Sequence, residues 1–316
     1  MSSATSSATQ LTVKQPVSRY VNTNKLILIL MALPGIVCII IFAYIPLAGW
    51  AIAFFDYRPG LRLFDTPFTG FKFFELAFTE RSFPLVMRNT LVLGFMFMAV
   101  TPVPMFLAIL ISEIKFKKFK SIVQTAFTLP NFISWIVVYA VFFAMFSTEV
   151  GLVNSVLLRF NLIETPVSPL TNLSYAWTIQ TLLHIWKVAG FTAIIYLASI
   201  AGIDPELYNA ASVDGAGRLQ KIRHVTLPGL SSTYINMLLI SSGFLLSNGF
   251  EQFFIFQNLL NREKLDVLDV YIYRVGMVFG DFPLSTALGM SRTIVSIIIL
   301  FTVNWISKKV RGSSII

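Results

Sequence analysis

Three ionisable residues stand inside long apolar stretches of this 316-residue chain: Lys187, Glu251 and Arg292. A charge surrounded by lipid is costly, so each of these groups needs a partner or a wet path. Together with Asn248, Gln252, Trp186, Ser291 and Ser296 they offer hydrogen bonds and a stacking face. That is the chemistry of holding a polar, hydroxyl-rich solute such as a sugar. At ~1.5 Å rise per residue, Glu251 and Arg292 lie about 9 Å below the same end of their stretches, and Lys187 about 18 Å in. The competing reading is a Glu251–Arg292 ion pair that holds two helices together. For Lys187 the competitors are snorkelling and contact with another subunit. Covalent chemistry finds no comparable set. Cys38 is the one cysteine, and His184 and His224 stand 40 positions apart with no HExxH. His184, one turn before Lys187, reads as a packed polar residue. The phosphate-cradling pattern G-x-x-x-x-G-K-[ST] is absent, so ATP would have to be bound by another chain.

The elements that position these residues follow from composition. Hydrophobic residues make up 56% of the chain and charged ones 12%. A soluble domain carries about 25% charged residues, so much of this surface must face lipid. A crossing needs about 20 mostly apolar residues. Six windows qualify: 26–54, 89–112, 123–146, 175–200, 233–257 and 286–307. The expected fold class is therefore all-α transmembrane with six spans. Residues 1–25 form a polar N-terminal segment, 26–309 the membrane domain and 310–316 a short tail. The polar segment is Ser/Thr-rich and reads as unstructured up to about Asn24. Thirteen Lys and Arg fall on the side holding both termini and the loops 113–122 and 201–232, against nine on the other. The positive-inside rule puts the first set in the cytoplasm. It also accounts for the net charge of +9 without a nucleic-acid partner.

The fourth inter-span loop, 203–228, reads as two short helices around a turn. Asp204 suits an N-cap, Pro205 the first helical position and Glu206 the first turn. Ala210 and Ala211 leave a slim face, and Asp214-Gly215 supplies a turn in which glycine permits positive φ. From Arg218 the helix resumes, and Pro228 is expected to stop it. A compact knob hung between two spans is a shape for docking into a groove.

This loop resembles the EAA loop of binding-protein-dependent ABC importer permeases. Asn209-Ala210-Ala211 falls on E-A-A, Gly215 on the motif glycine, and Leu227-Pro228 on the L-P ending. Asn209 departs from the usual Glu. Leu33-Pro34-Gly35, Tyr44-Ile45-Pro46 and Ala53-Phe54-Phe55-Asp56-Tyr57 resemble the first span of the sugar-importing branch, and Gly249-Phe250-Glu251-Gln252 and Asp269-Val270-Tyr271-Ile272-Tyr273-Arg274-Val275-Gly276 resemble its oligosaccharide-importing, LplB-like subgroup. The resemblance implies a six-span MetI-like permease fold in a bacterial inner membrane. It implies partners: a second, different permease, two ATPases that bind ATP and Mg, and an extracytoplasmic solute-binding protein. It implies an ATPase-coupling role for Glu206, Asn209, Ala210, Ala211, Asp214, Gly215, Arg218, Leu227 and Pro228. The substrate path is expected at Glu251, Gln252, Asn248, Lys187, Trp186 and Arg292, with no metal site and no catalysis in this chain. The two intramembrane cations favour an acidic, uronate-type oligosaccharide. A stand-alone secondary transporter would show paired broken helices and internal symmetry. A membrane enzyme would show a convergent nucleophile, base or metal set. Neither is visible.

Overall fold

The computed structural model describes residues 20–149 and 151–311. Most of the expected N-terminal polar segment and the last residues of the tail lie outside the described residues. The described part is built of helices, with one isolated bridge, Phe55–Phe68, and no strand. Residues up to Ala51 and residues from Ile52 onward form two separate compact units.

The described residues of the first unit form one helical run. Helix α1, Tyr20–Ile39, begins inside the segment expected to be unstructured. It passes through a π turn at Ile40–Tyr44 into a 3₁₀ stretch, Ile45–Phe54. Ile27–Phe54 has a mean hydropathy of 2.8 over its best window, enough to cross a bilayer. Pro46 does not break the run. A proline ring clashes with the carbonyl four residues earlier, and a π turn just ahead of it shifts that carbonyl out of register.

The second unit begins with α2, Lys72–Thr79, and continues as α3, Phe83–Ala99, and α4, Pro102–Ser112. The last two make a single apolar run of 30 residues, Phe83–Ser112. Its joint carries Pro102, and the Thr101 hydroxyl donates to the Met98 carbonyl at 2.8 Å.

Helices α5, Lys117–Thr128, and α6, Trp135–Phe146, cover the third expected span. They are not one straight rod. The pair bends by 100° across residues 129–134. Pro130 starts the break, and the Ser134 hydroxyl caps α6 by accepting from the Val137 N–H. After α7, Leu152–Arg159, comes the long α8, Ala176–Ala201. It packs along α4 through Ala108, Ala193 and Tyr196, all fully buried. At Gly190, α8 meets the end of α5 so closely that a Cβ would sit 1.9 Å from the Phe127 carbonyl oxygen.

Helix α9, Pro205–Val213, leads into α10, Arg218–Lys221, a π turn at Ile222–Thr226, and α11, Leu227–Gly243. Lys221, Ile222, Thr226 and Leu227 all keep right-handed helical dihedrals, so Arg218–Gly243 is one continuous helix. Pro228 therefore does not stop it, contrary to expectation. The Leu227 N–H bonds to the Ile222 carbonyl, and this i→i+5 register clears the ring as it does before Pro46.

The fifth expected span, 233–257, is also broken. Helix α11 ends at Gly243, and α12 is only Phe250–Phe256. Between them Gly249 adopts φ +93° and Asn248 turns its side chain onto the backbone of α3. Short α13, Arg262–Leu265, and α14, Leu268–Tyr273, precede α15, Phe282–Arg311, which carries the last long apolar stretch. Four described helices are long and apolar enough to cross a membrane, or five if the bent α5–α6 pair is one crossing.

Candidate functional site

Helices α3, α4, α8 and α11 and the 244–249 turn enclose a cavity of about 460 Å³. Its wall is mostly apolar, with Phe97, Phe191 and Phe244 prominent. Thr101, His184, Thr192, Tyr196, Ser241, Ser247 and Asn248 interrupt it with polar groups. Asn248 Oδ1 and Tyr196 Oη are buried and have no hydrogen-bond partner among the described residues. Leaving a buried polar group unpaired costs about 1–3 kcal/mol. The orientation of Asn248 is fixed by chemistry. Its Nδ2 donates to the Thr90 carbonyl at 3.2 Å, and a carbonyl can only accept. The amide oxygen is left without a partner among the described residues.

The remaining residues expected on a substrate path lie elsewhere. Lys187 is buried, and its ammonium donates to the carbonyls of Pro130, Asn131 and Ile133. It also sits 5.4 Å from the centre of the Trp135 ring. These are the carbonyls released by the α5–α6 bend, so Lys187 pins that break. Irregular backbone at membrane depth needs such internal partners. Gln252 is buried in a seam with Gln180, its Nε2 donating to Gln180 Oε1 at 2.7 Å. Trp186 is exposed and outside the cavity lining.

Glu251 is exposed on the first turn of α12 and has no ion pair among the described residues. Arg292 pairs with Asp269 of α14, not with Glu251. The Glu251–Arg292 bridge considered from the sequence is not formed, because α14 brings a nearer carboxylate. Arg292 and Ser291 line a second, smaller, apolar cavity of about 190 Å³. Of the six expected path residues, only Asn248 reaches the larger cavity. Tyr196 and Thr101 were missed. A signal existed on α8: His184, Val188, Thr192 and Ile195 recur every three to four residues and share one face.

The 203–228 loop folds by local rules. Asp204 caps α9, accepting from the Glu206 N–H at 2.9 Å. At its other end the Gly215 N–H bonds to Ser212 and the Ala216 N–H to Ala211, with Gly215 at φ +76°. This is a Schellman stop with Asp214 as the C-cap and glycine at the left-handed position. The Gln220 side chain caps the Gly217 N–H at 2.7 Å and starts the next helix. Tyr208–Thr226 and Lys221–Ser212 hydrogen bonds fold α9 back on the π turn. Arg218 ties the loop to Glu113 at the end of α4. Asn209 and Ala210 are exposed, Ala211 and Leu227 half-buried, and Pro228 exposed. Val213 and Leu219 are 89% and 80% exposed, which leaves an apolar tip on the knob.

Residues 100–312 match the family described as binding-protein-dependent transport system inner membrane component. The chain belongs to this family of ABC importer permeases. Among related permeases, the polygalacturonan/rhamnogalacturonan transport system permease protein YteP of Bacillus subtilis is 38% identical. The match spans 89% of this chain and 88% of that one. Protein LplB of the same organism is 36% identical over the same shares. A solved permease chain comes from a bacterial ABC transporter involved in the import of the acidic polysaccharide alginate. It superposes with a TM-score of 0.82 at 33% identity, over 92% of this chain and 98% of that one. A second structure of the alginate transporter, in complex with an alginate pentasaccharide-bound periplasmic protein, gives 0.83 at 33% identity.

Proposed function

We propose that this permease is one membrane subunit of an ATP-driven importer that carries an acidic oligosaccharide into the cytoplasm. The observation that carries the proposal is its similarity, at 33–38% identity over 89–92% of the chain, to a permease named for polygalacturonan/rhamnogalacturonan transport and to a chain of an alginate-importing ABC transporter. The cavity supports it. Thr101, Thr192, Ser241 and Ser247 offer hydroxyls to a sugar, and Phe97, Phe191 and Phe244 face the apolar sides of the rings. Glu251, exposed in the first turn of α12, stands outside this cavity.

In this reading the chain crosses the membrane six times, with α11 as the fifth crossing when counted from Arg218. Both termini and the α9–α10 knob lie in the cytoplasm. The knob carries Glu206, Asn209, Ala210, Ala211, Asp214, Gly215 and Arg218 to a partner ATPase, which binds the ATP and Mg. Leu227 and Pro228 transmit its motion into α11. A second permease completes the pore, and a solute-binding protein delivers substrate from outside. Nucleotide-driven motion of the knob biases the permease between its two open states through contacts that differ between them.

Uptake by the assembled complex in proteoliposomes tests the reading. ATP and the binding protein should drive entry of oligogalacturonate or oligo-alginate, with neutral oligosaccharides of equal length far slower. Equal or faster uptake of the neutral sugars removes the acidic substrate. Uptake by this chain alone, without ATP, removes the importer.

A further inference from the structure

Helix α5 carries its charges and its apolar residues in the order in which a lipid carries a headgroup and a tail. Between Glu113 and Glu149 the chain has no acidic residue. Lys115, Lys117, Lys118 and Lys120 crowd the start of α5, and Glu113 is already taken by Arg218. Lys120 turns inward and donates to the Ser112 carbonyl at the end of α4, at 3.4 Å. Lys115, Lys117 and Lys118 are exposed, and their ammonium groups have no partner among the described residues. From Lys118 the same outward face continues at helical spacing as Ile122, Ala126 and Leu129, all exposed. Val123, Gln124 and Thr128 lie on the other, half-buried side.

The helix also has the length of one leaflet. Its start lies beside the end of α4, which packs on the later half of α8 through Ala108, Ala193 and Tyr196. Its last turn meets Gly190, near the middle of α8. Lys117 and Phe127 are about 15 Å apart along the axis, half of a hydrocarbon core of ~30 Å. The 100° bend then turns α6 away from this line. The lysines thus stand at the edge of the hydrocarbon, and the apolar stripe ends near its midplane.

We infer that the outward face of α5 binds one anionic phospholipid, its phosphate held by Lys115, Lys117 and Lys118 and an acyl chain laid along Ile122, Ala126 and Leu129. Charge complementarity selects this occupant. Unpaired lysines at a membrane surface favour a net-negative headgroup by on the order of 5-fold each, whereas a zwitterionic headgroup brings a competing cation of its own. An acidic patch on a partner subunit satisfies the lysines without covering the stripe below them. The inference needs α8 to cross a bilayer and is independent of the sugar and of which side is cytoplasmic.

The test uses the assembled complex in nanodiscs of phosphatidylcholine with a minority of phosphatidylglycerol. The photo-crosslinking residue p-benzoylphenylalanine replaces Ile122, and mass spectrometry identifies what it captures. Phosphatidylglycerol should be captured on the order of 10-fold above its share of the bilayer. Lys115→Arg, Lys117→Arg and Lys118→Arg together should keep that enrichment, and the three corresponding changes to Gln should bring capture to the bulk ratio.

Capture of the two lipids in their bulk ratio with all three lysines present overturns the site and leaves the face in ordinary lipid. Capture of another subunit overturns it in favour of a protein contact. Enrichment that survives the three glutamines overturns the role of the lysines. If the triple glutamine variant does not assemble, Lys118→Gln alone takes its place. It should lower the enrichment severalfold, and an unchanged value overturns the inference.

Discussion

Replacing Lys187 with Met separates a structural cation from a substrate-binding one. The ammonium reaches the carbonyls of Pro130, Asn131 and Ile133 across the 100° bend between α5 and α6. Met matches the length of the side chain but donates nothing. Hydrogen bonds from a charged donor are each worth about 1.5–3 kcal/mol. One ammonium shared by three acceptors gives less than three times that. Removing a buried charge also returns several kcal/mol of desolvation. The net loss is about 2–4 kcal/mol, close to the ~3–5 kcal/mol seen when one partner of a buried charged contact is deleted. At roughly 2–4 °C per kcal/mol for a chain of this size class, the midpoint of thermal unfolding in detergent should fall by on the order of 10 °C. Size-exclusion chromatography after graded heating reads that shift. Lys187 is absent from the cavity wall, so KM per assembled complex should change less than about twofold, well below one hydrogen bond's worth. An unchanged melting midpoint with a raised KM would refute this reasoning and return Lys187 to the substrate path.

Two further outcomes test the coupling knob and the topology. Gly215 sits at φ +76° with nothing within 4 Å of an added Cβ, so Gly215→Val acts through backbone strain alone, about 1–2 kcal/mol. The complex should still assemble, while substrate-stimulated ATP hydrolysis and uptake fall severalfold; normal values for both would remove the loop from coupling. In a Cys38→Ser background, a membrane-impermeant thiol reagent added to sealed cells should modify Ser168→Cys and spare Ser212→Cys, and labelling of position 212 would reverse the proposed orientation.

The knob's caps and its turn were readable from sequence because the contacts that shape them are local. Asp204 reaches two residues ahead, Gln220 three back, and the Gly215 stop closes within five. Residue type and spacing carry that information directly. The long apolar windows were readable for the same reason, since hydropathy is a local sum. The breaks were not. A window average over 233–257 runs smoothly across Ser247-Asn248-Gly249, although Asn-Gly is itself a turn signal. What makes the turn permanent is Thr90 and Asp269, 158 and 21 positions away. Pro228 misled in the opposite direction. Its stop rule assumes α-helical register, and the π turn at Ile222–Thr226 suspends that assumption one turn earlier.

The charges show the same division. Sequence identifies an intramembrane cation and its depth, and from depth alone Glu251 and Arg292 look like partners. Depth is one coordinate of three. The missing two are set by α14, a six-residue helix in what hydropathy marks as an outer loop, which carries Asp269 to Arg292 and to the main chain of Asn248. Lys187 is likewise claimed by carbonyls 54 to 57 residues away, freed by a bend that hydropathy averages over. Both cations are engaged at irregular backbone, Lys187 directly and Arg292 through Asp269, and hydrocarbon does not tolerate such backbone unpaired. What the cavity wall offers a polar guest is the hydroxyls of Thr101, Thr192, Ser241 and Ser247 and the His184 ring, with neither Lys187 nor Arg292 among its lining residues.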